Sequence, residues 1–430
     1  MRQFWSLSPI LLFLSLYLTG GITLHNFYSL SVPLLLIFGI AVGLIQNKRP
    51  LFSDKLHIII HGAGQANIIL MCFIFLLAGG FATLTKSLGA IDAFINYGLS
   101  IVHPDIFLVG IFLMACFISM AMGTSMGTIV ALAPIAVSLA DVTHIPVEIP
   151  VGAVLSGAMF GDNLSLVSDT TIVITQTMEC SAKDKLRTNL RYILPAAILS
   201  CLAYYFVSFE YNFQSTQLMP SSSLLLLIPY VIVLILSLWG THVFVTLFFG
   251  LISSSVLALT QGYTLIKIMD IIESGFTNMS DIVIITLLIG GMIAIVQDNG
   301  GVDYILKNIL LRIKNKRLAE TMMVLTVGLV NICVANNTLS LVVASPILKQ
   351  IKNQYHLNAA RTASLLDMTS CVVQGLLPYG AQLLVAAKFA ATASILFIPY
   401  TYYPIFMGIT IICIIIWQKS VNTPSNQKEA

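Results

Sequence analysis

Runs of 17 to 20 mostly apolar residues recur along the whole length of this chain, and they constrain its fold more than any other feature. About 20 residues of helix are needed to cross a bilayer's hydrocarbon core. In lipid every backbone polar group must be satisfied internally, so such runs fold as helices. Candidate spans fall near 7–24, 30–46, 66–85, 106–140, 149–178, 192–208, 222–239, 242–259, 282–298, 320–348, 361–396 and 402–418, with 106–140 long enough to cross twice. The expected class is an all-α polytopic membrane protein of about 11–13 transmembrane segments. Charged residues make up 9% of the 430, against about 25% in a soluble chain, and mean hydropathy is +0.94. No soluble domain fits between the spans, so a soluble enzyme or a nucleic-acid binder is excluded. The first 24 residues carry Arg2 and an apolar run without a small-residue cleavage site, and read as a retained span. Seven scattered cysteines form no C-x-x-C pair, which argues against both a disulfide frame and a thiolate metal site.

The stretch Ser156 to Thr171 places Asp162 and Asp169 inside an otherwise apolar segment. An Asp at the centre of a spanning helix costs about 2.5–3.5 kcal/mol, so such residues usually face a cavity and mark an ion or proton path. Around them Gly157, Gly161, Asn163, Ser165, Ser168, Thr170 and Thr171 weaken a continuous helix and supply oxygen ligands, and a break is expected at Gly161-Asp162-Asn163. The plain alternative is a Gly/Ser-rich kink whose aspartates sit in a loop. Similar polar interruptions occur at Gly123–Gly127, with Thr124 and Ser125, and at Ala335–Thr338, with Asn336, Asn337 and Thr338. A fourth lies at Gln374–Gln382, a few residues after Asp367. Any single hydroxyl or amide among these, such as Ser168 or Thr338, could equally serve as an interhelical hydrogen bond.

The chain carries an internal repeat. Leu77–Asp92 aligns with Leu288–Asp303 at an offset of 211, matching Leu77, Gly79, Gly80, Gly89 and Asp92 to identical residues, and Pro134 meets Pro346 at 212. In the first copy Ala78-Gly79-Gly80 reads as a break. The loop after it, Asp92 to Asp105, has no Lys or Arg, whereas the loop after the second copy holds Lys307, Arg312, Lys314, Lys316 and Arg317. Basic loops stay cytoplasmic, so equivalent loops are expected on opposite sides of the membrane, as in an inverted-topology repeat. The halves are 1–215 and 216–420, with a polar cytoplasmic tail at 421–430. Broken or re-entrant helices of both halves are expected to meet near the midplane. Loops with Lys48, Arg49 and Lys55, and with Lys183, Lys185, Arg187 and Arg191, read as cytoplasmic.

Gly161-Asp-Asn-Leu-Ser-Leu-Val-Ser-Asp-Thr-Thr171 resembles the Gly-Asp-x-x-Ser-Pro-x-Ser-Asp-Thr-Thr signature of the NhaC-type Na⁺/H⁺ antiporters, in the ion transporter superfamily, with Leu166 where the signature often has Pro. Gly123–Gly127, Asp298–Gly301, Ala363–Asp367 and Gln374–Gln382 agree with it, and the resemblance covers the chain from about residue 60 onward. It implies secondary cation/proton exchange in a bacterial inner membrane, although some relatives exchange organic acids or amino acids.

Three readings follow. An Na⁺/H⁺ antiporter would bind Na⁺ through Asp162, Asn163 and Asp169, with Ser165, Ser168, Thr170, Thr124, Ser125, Asn336, Asn337, Thr338, Asp367 and Gln374 completing an ion site. Burial disfavours the charged form of a carboxyl, so proton and cation compete for it. A cation-coupled carrier of a small carboxylate or amino acid would want a fixed cation at the site. The basic residues nearest the broken segments in sequence are Lys86 and Lys388, both read as snorkelling at an interface. An intramembrane aspartyl protease would need Gly-x-Gly-Asp, but Met159 stands at its first glycine and no Tyr-Asp pair exists. No cofactor is expected beyond the transported Na⁺ and H⁺. The expected partners are a small cation and the lipid bilayer, with homodimer formation left open and no nucleic acid.

Overall fold

The computed structural model describes residues 5–23, 30–46, 51–90, 93, 106–166, 168–211, 224–239, 241–301, 304, 313 and 315–416. Every described element is helical. The first part of the chain forms α1 (Ser8–Thr23), α2 (Val32–Gln46), α3 (Phe52–Ala63), α4 (Ala66–Ser87), α5 (Phe107–Met122), α6 (Ser125–Thr143), α7 (Glu148–Leu164), α8 (Asp169–Met178) and α9 (Ala182–Glu210). The second forms α10 (Ile228–Leu238), α11 (Val243–Thr260), α12 (Leu265–Asp298), α13 (Lys316–Val334), α14 (Asn337–Gln354), α15 (Ala359–Leu376), α16 (Ala381–Ala390) and α17 (Tyr402–Ile416). Among the described residues eight helical segments are long and apolar enough to cross a membrane, nine if the pair Ser394–Tyr400 and Tyr402–Ile416, bent by 62°, is one span. Four shorter apolar helices accompany them. The protein is an all-α polytopic membrane protein.

Three expectations about local structure need correcting. The stretch carrying Lys55 is no loop but the helix α3, in which Lys55 is buried and donates to the Leu44 carbonyl oxygen. α4 runs unbroken through Gly79 and Gly80. Those glycines serve packing: a Cβ on Gly79 would lie 2.4 Å from the Gly275 carbonyl oxygen, so α4 and α12 cross with their backbones nearly touching. The third concerns the stretch to Ser280 that joins the expected spans 242–259 and 282–298; from Leu265 it belongs to α12, a continuous helix of 34 residues whose N-cap Thr264 accepts from the Lys267 N–H at 3.3 Å. Such a cap satisfies one of the orphan donors at a helix start.

Backbone geometry repeats along the chain. The left-handed residues Gly123 and Ala335, His144 and His356, and Glu179 and Ala391 each stand 212 positions apart. Helix starts Ser125 and Asn337, and Asp169 and Ala381, keep the same spacing, and α8 and α16 both have 10 residues. Residues 94–105 of the loop between Asp92 and Asp105, the loop residues Lys48, Arg49, Lys307, Arg312 and Lys314, and the tail 421–430 lie outside the described residues.

Candidate functional site

Four helix breaks build the site. α5 ends at Gly123, whose φ of 70° is the left-handed turn that glycine accepts without strain, and Thr124, extended, leads into α6. α13 and α14 are joined in the same way by Ala335 and Asn336. The chain between α7 and α8 is extended at Ser165 and Ser168, and that between α15 and α16 is extended at Leu377 and Gly380. The break expected at Gly161-Asp162-Asn163 thus falls later, beginning at Ser165, two residues beyond Asn163. α7 stays helical through Leu164 because Gly161 is a packing residue; a Cβ there would lie 2.4 Å from Ser119 Cβ and 2.5 Å from the Cys116 carbonyl oxygen on α5.

Asp162 therefore sits in the last turn of α7, 4% exposed. Its Oδ1 accepts from the Ser168 hydroxyl at 2.5 Å, and its Oδ2 accepts from the Ser125 hydroxyl at 3.0 Å and the Asn337 amide at 3.3 Å. The fourth break reaches it indirectly. Gln374 donates to Gln382 Oε1 at 2.6 Å and to the Ala335 carbonyl oxygen at 3.2 Å, and Gln382 donates to the Ser125 hydroxyl at 3.4 Å. One carboxylate is the hub of all four breaks. Three direct donors satisfy it in the ionised form, as a buried charge requires.

The other expected site residues divide by position. Thr124, Ser125, Asp162, Ser168, Asp169, Asn336, Asn337 and Thr338 line one cavity of about 290 Å³. Asp169, the first residue of α8, is exposed at its edge. Asn336 lends its side-chain oxygen to the Leu339 N–H as a helix cap, and Asn337 lends its own to the Thr338 N–H. Thr170 is buried against the Ser168 hydroxyl at 3.0 Å, and the Ser165 carbonyl oxygen accepts from Thr171 at 2.9 Å. Asn163 is not a cavity residue: its amide turns to the Tyr403 hydroxyl and the Met407 sulfur, at 3.3 and 3.2 Å. Asp367 and Gln374 also lie off the cavity lining, both buried in α15.

The largest departure from expectation is Lys185. Read as part of a cytoplasmic loop, it is 1% exposed, and its Nζ pairs with Asp367 Oδ2 at 2.6 Å. It also donates to the Asn163 carbonyl oxygen at 2.9 Å and to the Thr171 hydroxyl at 2.8 Å. Lys388, read as snorkelling, pairs with Asp281 at 2.8 Å. His242 and Gln382, which line the cavity, were not expected either. A usable signal for Lys185 existed: Lys185 and Asn189 are four residues apart, hence on one face of α9, while Lys183, Arg187 and Arg191 point outward.

Comparison with known proteins agrees with this geometry. The Na⁺/H⁺ antiporter family model matches residues 9–209 and 213–418. The Na⁺/H⁺ antiporter NhaC of Bacillus subtilis (strain 168) is 23% identical over 352 residues, 73% of this chain and 77% of that protein. The malate-2H⁺/Na⁺-lactate antiporter of the same organism is 27% identical over 215 residues, 50% of this chain but only 46% of that protein's length. The arginine/ornithine antiporter ArcD of Halobacterium salinarum is 22% identical over 357 residues, 75% of this chain and 74% of that protein. With its four helix breaks gathered on one buried carboxylate and the family model spanning nearly all its length, the chain belongs to the Na⁺/H⁺ antiporter family.

Proposed function

We propose that this transporter exchanges cytoplasmic Na⁺ for external H⁺ across a bacterial inner membrane, with Asp162 as the shared binding group. One observation carries the reading: the cavity on which Asp162 opens is lined by two carboxylates, hydroxyls and amides, and by no Lys or Arg among the described residues. Hard monovalent cations take oxygen ligands of this kind, and unwound helix ends commonly supply them in transporters. Lys185 has its partners at Asn163, Thr171 and Asp367, none of which lines that cavity. Either a proton or Na⁺ can neutralise Asp162, and each weakens the other's binding by the same factor, since linkage is reciprocal. If only the neutralised site passes between the two faces, as alternating access around a fixed midplane site implies, exchange follows without a separate coupling device.

A second reading keeps one observation in its favour. The cavity of about 290 Å³ is far larger than a bare Na⁺ needs and approaches the roughly 300 Å³ at which small-molecule pockets begin. A small carboxylate or amino acid carried with or against cations would fit it, as the names of two relatives suggest.

Everted vesicles with a pH-sensitive dye separate the two. The expected result is proton movement on adding NaCl and none on adding organic acids at constant Na⁺, with Asp162→Asn silent and Asp169→Asn active. A signal that needs the organic acid would favour the second reading, and full Na⁺-dependent movement in Asp162→Asn would remove that residue from the site.

A further inference from the structure

Lys185 is among the largest fully buried side chains of the protein. Its ammonium has three donors, and each has a partner from a different place: the last turn of α7 through the Asn163 carbonyl, α8 through Thr171, and α15 through Asp367. Asn189, one turn further along α9, reinforces two of these links. It donates to the same Asn163 carbonyl oxygen at 2.7 Å and accepts from the Ser364 hydroxyl of α15 at 2.7 Å. Two donors on one helix thus grip the carbonyl next to Asp162. Holding that carbonyl at the C-terminal end of α7 fixes the last turn, from which the Asp162 carboxylate reaches the cavity.

The charges matter as much as the geometry. A lone buried ammonium or carboxylate is strongly unfavourable, and at 2.6 Å the two charges offset each other. Lys185 and Asp367 cancel each other. Of the two carboxylates that line the cavity, Asp162 is then the one buried among the breaks, while Asp169 is exposed at the edge and His242 lines the same space.

We propose that Lys185 and Asp367 form a resident ion pair that positions the end of α7 and fixes the charge of the site, so that one monovalent cation or one proton completes it. Lys185 is a positioning residue and does not line the cavity. This rests on the reading of Asp162 as the exchange group. The consequence is one-for-one exchange at this site, with no net charge moved per turnover.

The experiment uses the full chain in proteoliposomes, measuring the apparent KM for Na⁺, the maximal rate, and the response to a potential imposed with valinomycin and K⁺. Wild type should be indifferent to the potential. Lys185→Gln leaves Asp367 uncompensated, and should lower the KM by about tenfold or more while the maximal rate falls. Asp367→Asn leaves the ammonium uncompensated, and should raise the KM by about tenfold or more. The double variant should return the KM toward wild type, because the two changes couple through one contact. Opposite KM shifts that cancel are not what a purely structural defect produces.

Shifts in the same direction, or a double variant worse than either single, would overturn the proposal, as would exchange that speeds up under an imposed potential. Should a single variant fail to accumulate as monodisperse protein, the double variant carries the test: it must accumulate and exchange where the single does not, and a double variant that fails as well overturns the pairing. Asp162→Asn in the same liposomes separates the two levels. If it exchanges like wild type, the reading of the site falls. If it is silent while the two singles shift KM together, that reading stands and the ion-pair proposal falls.

Discussion

Ser125 and Asn337 stand 212 positions apart, each the first residue of its helix after a break, and both donate to the same oxygen, Asp162 Oδ2. Equivalent places in the two halves of the chain thus converge on one carboxylate supplied by only one half. At the same spacing Gln374 takes the place of Asp162. It bonds to Gln382 and the Ala335 carbonyl and adds no charge. A structure repeated twice in its backbone carries a site that is single in its chemistry.

Removing either donor should weaken the site in the same sense. Hydrogen bonds to a charged group contribute about 1.5–3 kcal/mol each, so Asn337→Ala and Ser125→Ala should each raise the apparent KM for Na⁺ by roughly tenfold or more. Because the two share one oxygen, their effects should not add. Na⁺ flux into proteoliposomes over a range of concentrations checks this. A KM unchanged in both variants would leave the two contacts without a part in cation binding.

How much of this was legible in the sequence depends on what each residue answers to. The membrane class follows from apolar run length, and the breaks at Gly123–Thr124 and Ala335–Asn336 follow from polar residues where a span should be apolar. The glycines misled. Gly79 and Gly161 look like helix breakers, yet both lie inside helices because a second backbone packs against them, and helix propensity yields to such packing. Lys185 was hidden for a related reason. Its neighbours Lys183 and Arg187 face outward, and a cluster of four basic residues reads as one interfacial patch unless the helix face of each is counted. Asp367, 182 residues away in the chain, supplies the charge that offsets the buried Lys185 ammonium. Single-sequence periodicity contains no such long-range pairing.

The repeat makes a prediction about sides. His144 and His356 occupy equivalent left-handed turns after α6 and α14, and both are exposed. If the halves are inverted, these turns lie on opposite faces of the membrane. In a background freed of the seven native cysteines, His144→Cys should react with an impermeant maleimide from outside the cell and His356→Cys only in everted vesicles. Labelling of both from one face would rule out the inversion while leaving the backbone repeat intact.

Beside the His356 turn, Glu179 closes α8 against the end of α14 by pairing with Lys349 at 2.7 Å and Lys352 at 2.8 Å. The two ammonium groups, Lys349 first, hold its carboxyl down at about 2. A depressed folded-state value stabilises the protein above the ordinary glutamate range, and that contribution disappears as pH falls from there through about 2. Glu179 and Lys349 are about half exposed, so the effect is small. Glu179→Gln should lower the melting temperature of detergent-purified protein by at most a few degrees near neutral pH. The gap from wild type should narrow steadily on acidification below about pH 4. A gap that widens in acid would mean that the lysines do not hold this carboxylate.

Competition at one carboxylate fixes the pH dependence of transport. If Na⁺ and H⁺ exclude each other at Asp162, protons raise the apparent KM for Na⁺ without changing the rate at saturating Na⁺, since enough Na⁺ displaces every proton. The sign is therefore weaker Na⁺ affinity in acid. Its limiting size is a count: one proton against one cation gives a KM that rises by about tenfold per pH unit of acidification, whereas two protons would give about a hundredfold. The measurement is initial Na⁺ flux in proteoliposomes with equal pH on both faces, varied in half-unit steps. A limiting slope of one agrees with a single negative charge left over once Lys185 and Asp367 have cancelled. A slope of two would implicate a second titrating carboxylate, with Asp169 at the cavity edge the nearest candidate, and an affinity that improves in acid would mean that proton and cation travel together and exclude exchange at this site.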